Sequence, residues 1–547
     1  MGVVGWPIDF LLLPAQYGEM EMKKQAFKAK IKKNNPQACG ELINLVERSR
    51  TITQIAQIFL LLLLVACGET AAPTTTPTPI QNTPISQTVA TPTLVLTETA
   101  VPSTSLSASP SPTPQVTPPP PFAGLSIGDP YAPELGNTGY DVAEYELIMA
   151  LDPAVENIDA TVHISGVVTG PAVETLSLDF VGFTETEVLL DMRPVAYTRF
   201  EDKLIIEPSL SFTEGQTFTI SITYAGNPVE RPSRYVGFAA SVGMSFVDGE
   251  SIYVLSEPDG SRYWFPNNDH PRDKATYRFE ITVPVGLTAV ANGLLIDQID
   301  GETISTFIWE HDFPMASYLA TVVVGEFERQ EEVSPDGILL RHYVNEGAQA
   351  EFAAATAELG EAIDWMSDLF GPYPYEAFGF VTADVSSVSL ETQTMVLLAD
   401  NMIGQTTVMH ELAHMWFGNW VSLDSWQQMW RNEGFATYVQ LMWENRNDPE
   451  ELELAMAAIE SAVEENGDDF PLGDPPPAKL FSFNTYFGGA VFVHALRQEM
   501  GDEAFFSGLQ TYFATYGGGT ASDDEFQAVM EAAHGQSLDA FFAEWLE

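Results

Sequence analysis

The spacing of four residues between His410 and Glu433 constrains this chain more than any other feature it carries. Thr407 to Asn419 reads T-V-M-H-E-L-A-H-M-W-F-G-N. Residues four apart on a helix share one face, so a helix here turns the His410 and His414 imidazoles the same way. Two neutral imidazoles side by side can share one Zn2+. Glu411 stands beside the first, placed to take a proton from a water on that ion. Trp430-Arg-Asn-Glu-Gly434 follows, with 18 residues between His414 and Glu433. A second helix beginning near Asn432 would carry Glu433 across the first as a third ligand. His2Glu plus water leaves the fourth position open, the pattern of a catalytic zinc. A chance HExxH at this composition is on the order of one in a hundred.

Cysteine usage removes competing schemes. The only cysteines are Cys39 and Cys67. Nothing after them can form a disulfide, a thiolate nucleophile or a Cys-ligated metal. Charge excludes partners. The chain has 23 Lys+Arg against 76 Asp+Glu, a net −53. From residue 67 onward the balance is 15 basic against 71 acidic residues, or −56. Nucleic-acid binding needs basic patches, and docking on an anionic membrane needs them too.

The first 121 residues read as address and tether. Ile55 to Ala66 is an apolar run too short to span a bilayer, which takes about 20 residues. With Arg48 and Arg50 before it, it suits a lipoprotein signal peptide over residues 47–66. Leu64-Val65-Ala66-Cys67-Gly68 resembles a bacterial lipobox, which implies a lipid on Cys67. Residues 1–46 are too long for a signal n-region and are read as a non-native or disordered extension, with the true start near Val46. Residues 67–121 form a tether; in 71–121, 32 of 51 positions are Pro, Thr or Ser, and Glu98 is the one charge. Such a stretch cannot bury a core and favours extended geometry. The expectation is a cell-envelope protein exposed outside the cytoplasm, touching the membrane only through Cys67.

The remainder divides by periodicity. Segments such as Tyr145–Leu151, Thr217–Thr223 and Thr276–Val283 alternate or run apolar between turn residues, predicting a β domain over 122–328. From Glu351 the pattern turns helical, with candidates at Ala353–Met366, Glu450–Glu465 and Ala490–Met500, predicting a second domain over 329–547. The fold class is α+β and multidomain.

These residues resemble the aminopeptidase N family of zinc metallopeptidases, relatives of leukotriene hydrolase. The shared pattern is HELAHMWFGN and then WRNEGFATY. Glu257-Pro-Asp-Gly-Ser-Arg-Tyr-Trp-Phe-Pro-Asn-Asn-Asp-His-Pro271 with Lys274-Ala275 is similar to a second family signature. Ala289-Val-Ala-Asn-Gly293, Tyr318-Leu319 and Gly371-Pro-Tyr-Pro-Tyr375 are further landmarks. The resemblance covers about residues 122–547. It implies a β-sandwich-like N-terminal domain on a mostly helical, thermolysin-like catalytic domain.

It also implies roles. One Zn2+ is held by His410, His414 and Glu433, and Glu411 activates the attacking water. Val388-Ser-Leu-Glu-Thr392 stands where the family has G-x-M-E-N, so Glu391 would bind the substrate α-amine, with Glu257 as the second carboxylate. Tyr486 resembles the tyrosine that donates a hydrogen bond to the oxyanion. The implied activity is release of N-terminal residues from peptides with a free N-terminus. The competing readings are a zinc endopeptidase sharing the HExxH site and an inactive surface-binding lipoprotein. Departures from the family are Val388 for Gly, Thr392 for Asn, Arg431 for Leu, Gln428 for an acidic residue and Gly488 for a basic one. The sequence also ends at Trp545-Leu-Glu547, without the C-terminal domains of larger relatives, which implies a more open cleft with weak control over peptide length. His270 and His494 are expected to be structural, and Gly124-Leu-Ser-Ile-Gly128 lacks the strand-to-helix setting of a nucleophile elbow.

Overall fold

The computed structural model describes residues 124–228, 231–236, 241–385 and 388–547. The N-terminal extension, the signal segment, Cys67 and the tether lie outside the described residues.

The first part is built on strands whose alternation fixes one face inward. In Tyr140–Asp152, the side chains of Val142, Tyr145, Leu147, Met149 and Leu151 are buried. The change of parity after Val142 is a β-bulge between Val142 and Glu144. This strand lies inside an eight-stranded sheet, between Lys274–Pro284, which runs parallel to it, and Asn157–Val168, which runs antiparallel. A three-stranded sheet (Leu176–Asp179, Lys203–Glu207, Ala196–Phe200) shares the same apolar core. So does a four-stranded sheet (Thr288–Ala291, Val322–Gly325, Ser251–Leu255, Gly243–Val247). Val162, Ile206 and Val324 mark that core in the three sheets, each fully buried.

The second part contains a sheet that periodicity does not show. Phe327–Val333, Leu339–Asn345, Ala377–Ala383 and Val396–Ala399 form it in that order, and the last two pairings are parallel. The expected division between residues 328 and 329 falls inside its first strand. Around the sheet stand α1 (Gln349–Ala355), α2 (Leu359–Phe370), α3 (Gln405–Ala413), α4 (Trp430–Glu444), α5 (Pro449–Asn466), α6 (Gly489–Met500), α7 (Asp502–Tyr516), α8 (Asp523–His534) and α9 (Asp539–Leu546). The single helix predicted over Ala353–Met366 is two. Thr356 closes α1, its hydroxyl donating to the Phe352 carbonyl at 2.9 Å. No described helix is long and apolar enough to cross a membrane.

α4 is the axis of this part. It begins at Trp430, two residues before the predicted start, and is buried from Trp430 to Trp443. A helix buried all round needs small residues where others cross it. Gly434 of α4 meets Gly489 of α6 backbone to backbone: a Cβ on Gly434 would lie 2.7 Å from the Gly489 main chain. That approach brings the segment before α6 against the start of α4. The segment, Asn484–Gly488, is a wider π-helical turn carrying Tyr486, a distortion frequent at functional sites.

Candidate active site

The metal-ligand candidates converge from α3 and α4. His414 is the residue after α3 and keeps helical dihedrals (φ −59°, ψ −23°), so it stays on the face of His410. The two Nε2 atoms are 3.2 Å apart. Glu433 Oε2, in the first turn of α4, is 3.2 Å from His410 Nε2 and 3.6 Å from His414 Nε2. Ligands about 2.0–2.1 Å from a tetrahedral zinc stand about 3.3 Å from one another. The three observed edges bracket that value, so the donor set fits Zn2+. The Phe417 carbonyl lies 3.1 Å from His414 Nδ1 and fixes that ring's orientation.

Electrostatics select a cation at this point. Burial lowers the His410 pKa, keeping the ring neutral as a metal ligand must be. Burial would also lower that of His414, but Glu391, Glu433 and Glu411 outweigh it and push it up to about 10. Burial opposes ionisation of Glu433, yet His414 and His410 hold it down to about 2. A proton on His414 therefore occupies the field that a dication would take.

Glu257 and Glu391 line the same recess. Oxygens of Glu257, Glu391 and Glu433 all lie within 4.8 Å of one another. Burial raises the pKa values of both Glu257 and Glu391; neighbouring carboxylates raise that of Glu257 further, while His414 opposes the rise at Glu391. Oε1 of each is buried without a hydrogen-bond partner. Glu411 is buried too, and its pKa is raised well above the usual carboxylate range, mainly by burial. One oxygen of Glu411 lies within 4.8 Å of ligand atoms of both His414 and Glu391. Tyr486 packs parallel to His410, ring centres 6.0 Å apart. Burial and the surrounding glutamates raise its pKa, so the phenol keeps its proton and can donate. All seven predicted site residues line one recess of about 520 Å3 that opens to solvent. Val236, Val242, Leu255, Val388 and Phe481 supply its apolar wall.

Comparison with known proteins adds to this geometry. The peptidase M1 N-terminal domain matches residues 143–319, and the peptidase family M1 domain matches residues 367–545. The chain belongs to peptidase family M1. Aminopeptidase M1 of Arabidopsis thaliana is 27% identical over 317 residues, covering 53% of this chain and 36% of that protein. Aminopeptidase N of Streptomyces lividans is 24% identical over 335 residues, 55% of this chain and 38% of its own. The chain thus spans less than half the length of these curated relatives. An M1 zinc metallopeptidase from Deinococcus radiodurans, solved with bound Tyr-Ser-Ala substrate as a point mutant, superposes with a TM-score of 0.72 at 28% identity, covering 77% of this chain and 97% of that one.

Several M1 landmarks acquire a physical purpose. Asn292, of Ala289–Gly293, donates from Nδ2 to the carbonyls of Leu319 (2.9 Å) and Gln393 (2.8 Å), and its Oδ1 accepts from Thr321 N (2.7 Å). It joins two landmarks to the loop bearing Glu391. Sequence reasoning noted its motif without assigning this duty. The departures are accommodated as well. Arg431 is buried, with Nε 3.0 Å from Asp523 Oδ1 and Nη2 2.6 Å from Gln428 Oε1. The two departures at 428 and 431 are therefore partners that tie the start of α4 to α8. Thr392 turns its hydroxyl to the Met395 carbonyl. His270 is buried against Asp129 at 3.1 Å, and His494 lies 3.1 Å from the Tyr438 hydroxyl, both away from the recess.

Proposed function

We propose that this M1 chain is a zinc-dependent aminopeptidase that releases one residue at a time from peptides with a free N-terminus. The observation that carries the reading is the pair of buried carboxylate oxygens of Glu257 and Glu391 that accept no hydrogen bond, that of Glu391 4.0 Å from His414 Nδ1, beside the His410–His414–Glu433 set. Adjacent buried carboxylates repel unless a cation arrives. A peptide α-ammonium is such a cation, and it puts the first peptide carbonyl next to the metal ligands. When bound, Zn2+ supplies Lewis acidity, polarising a carbonyl and making water a nucleophile at neutral pH.

The chain's own residues do the rest. Glu411 accepts the proton of the attacking water and returns it to the departing amine. Burial raises its pKa above the usual carboxylate range, which strengthens it as a base. Tyr486 donates a hydrogen bond to the oxygen on which charge develops. Glu257 and Glu391 hold the α-ammonium by charge-assisted hydrogen bonds. An endopeptidase would have no use for two buried anions at this depth, and an inactive binder none for Glu411. A panel of aminoacyl-arylamides, with and without a chelator, tests the reading. Hydrolysis should require the free amine and be lost on chelation and restored by zinc; chelator-resistant hydrolysis would refute it.

For location, we propose a lipid anchor at Cys67 in the cell envelope, a reading supported by the lipobox-like sequence and the Pro/Thr/Ser-rich tether of few charges. Cys67→Ser should move the protein from the membrane fraction to the soluble one; unchanged fractionation would refute it.

A further inference from the structure

We propose that Asn419 is a positioning residue that sets the register between the hydrolytic centre and the amine anchor, and that Lys274 clamps it from the sheet domain. The inference rests on the aminopeptidase reading above. Asn419 is fully buried, five residues beyond His414. Its backbone N–H donates to the His414 carbonyl at 3.1 Å. Its side-chain Nδ2 donates to the Glu391 carbonyl at 2.8 Å. Its own carbonyl accepts from Lys274 Nζ at 2.8 Å, and the Trp420 carbonyl lies 3.3 Å from the same nitrogen. One asparagine thus touches the backbone of a metal-ligand candidate and the backbone of the amine anchor.

Lys274 stands at the start of a sheet-domain strand and spends its ammonium on two backbone carbonyls. Burial draws its pKa down to about 7. An ammonium enclosed on carbonyls alone costs stability compared with one in water. A clamp on the 419–420 turn is what the arrangement provides in return. Asn292 also holds this loop, at Gln393, and its side-chain bonds, to Leu319, Gln393 and Thr321, reach no metal-ligand candidate. Asn419 is thus the residue whose loss would let Glu391 drift relative to His414. Drift on the scale of 1 Å costs about 100-fold in rate, and it would act most on substrates held by their amine.

The test compares a free peptide with its N-acetylated twin on the full-length zinc enzyme. Asn419→Ala should retain one zinc per chain by elemental analysis. It should lose about 10- to 100-fold in kcat on the free peptide and much less on the acetylated one, so the selectivity ratio collapses. Lys274→Met should shift the ratio in the same direction, by about 3- to 10-fold. An Asn419→Ala enzyme that keeps zinc and the wild-type ratio overturns the proposal. If Asn419→Ala does not fold, Asn419→Ser and Lys274→Met carry the test, and an unchanged ratio in both overturns it. A wild type that cleaves both peptides alike contradicts the aminopeptidase reading itself; a selective wild type with equally selective variants contradicts this inference alone.

Discussion

The proposed metal triad and the proposed amine anchor share one recess but are built from chain of different kinds. His410, His414 and Glu433 come from a 24-residue window on α3 and α4, and their spacing is set by helix geometry. Glu257 and Glu391 come from loops 134 residues apart, and no periodicity relates them. The triad is rigid because α4 is buried along its length and locked to α6 through Gly434 and Gly489. The Glu391 half of the anchor is held by side-chain amides of Asn292 and Asn419 on the Gln393 and Glu391 carbonyls. In the proposed reading, hydrolysis rests on helices, and the choice of where to cut rests on loops, that of Glu391 held by asparagines.

That contrast can be broken by experiment. The largest effect belongs to the hydrolytic half. Glu411→Gln should keep zinc and lower kcat about 1000-fold on every substrate, read by steady-state kinetics beside metal analysis. A next-largest effect separates the halves. Glu391→Gln should lower kcat/KM on free-amine substrates by about 10- to 100-fold, the worth of one charge-assisted hydrogen bond, while leaving N-acetylated peptides little changed. Equal losses on both would place Glu391 in the hydrolytic half instead.

Smaller effects probe the rigidity of the triad. Gly434→Ala puts a methyl into the Gly489 backbone and should cost about 1–3 kcal/mol of stability, with a lowered melting temperature and weakened zinc retention. A melting curve like that of the wild type would show that the helix crossing can relax. Metal affinity should also depend on pH. His410 is already neutral and Glu433 ionised, whereas His414 holds its proton up to about 10 without metal. Coordination must expel that proton, so affinity rises with pH. Apparent zinc affinity should climb about tenfold per pH unit between about 6 and 9, measured with a competing chelator. A flat profile would mean that His414 is neutral before metal arrives.

The same contrast explains what could be read from the sequence. The triad was legible because an i, i+4 pair and a following helix start are local signals. The strands around Tyr145, Thr217 and Thr276 were legible because one face of each is mostly buried, which leaves alternation. Ala377–Ala383 and Val396–Ala399 were not, since both are buried on both faces and carry no alternation. Tyr486, Glu257 and Glu391 were visible only through family resemblance, because their meeting depends on tertiary contacts. Asn419 sat inside the quoted motif, yet its bonds to His414, Glu391 and Lys274 span up to 145 residues, beyond any local pattern.

The central claim is that a free α-amine, held by Glu257 and Glu391, decides where this chain cuts. The most direct measurement is kcat/KM for one short peptide and its N-acetylated twin with the zinc-loaded protein. The account predicts cleavage of the free peptide at its first bond and at least about 100-fold slower cleavage of the acetylated one. Equal rates, or internal cleavage of the acetylated peptide, would contradict it.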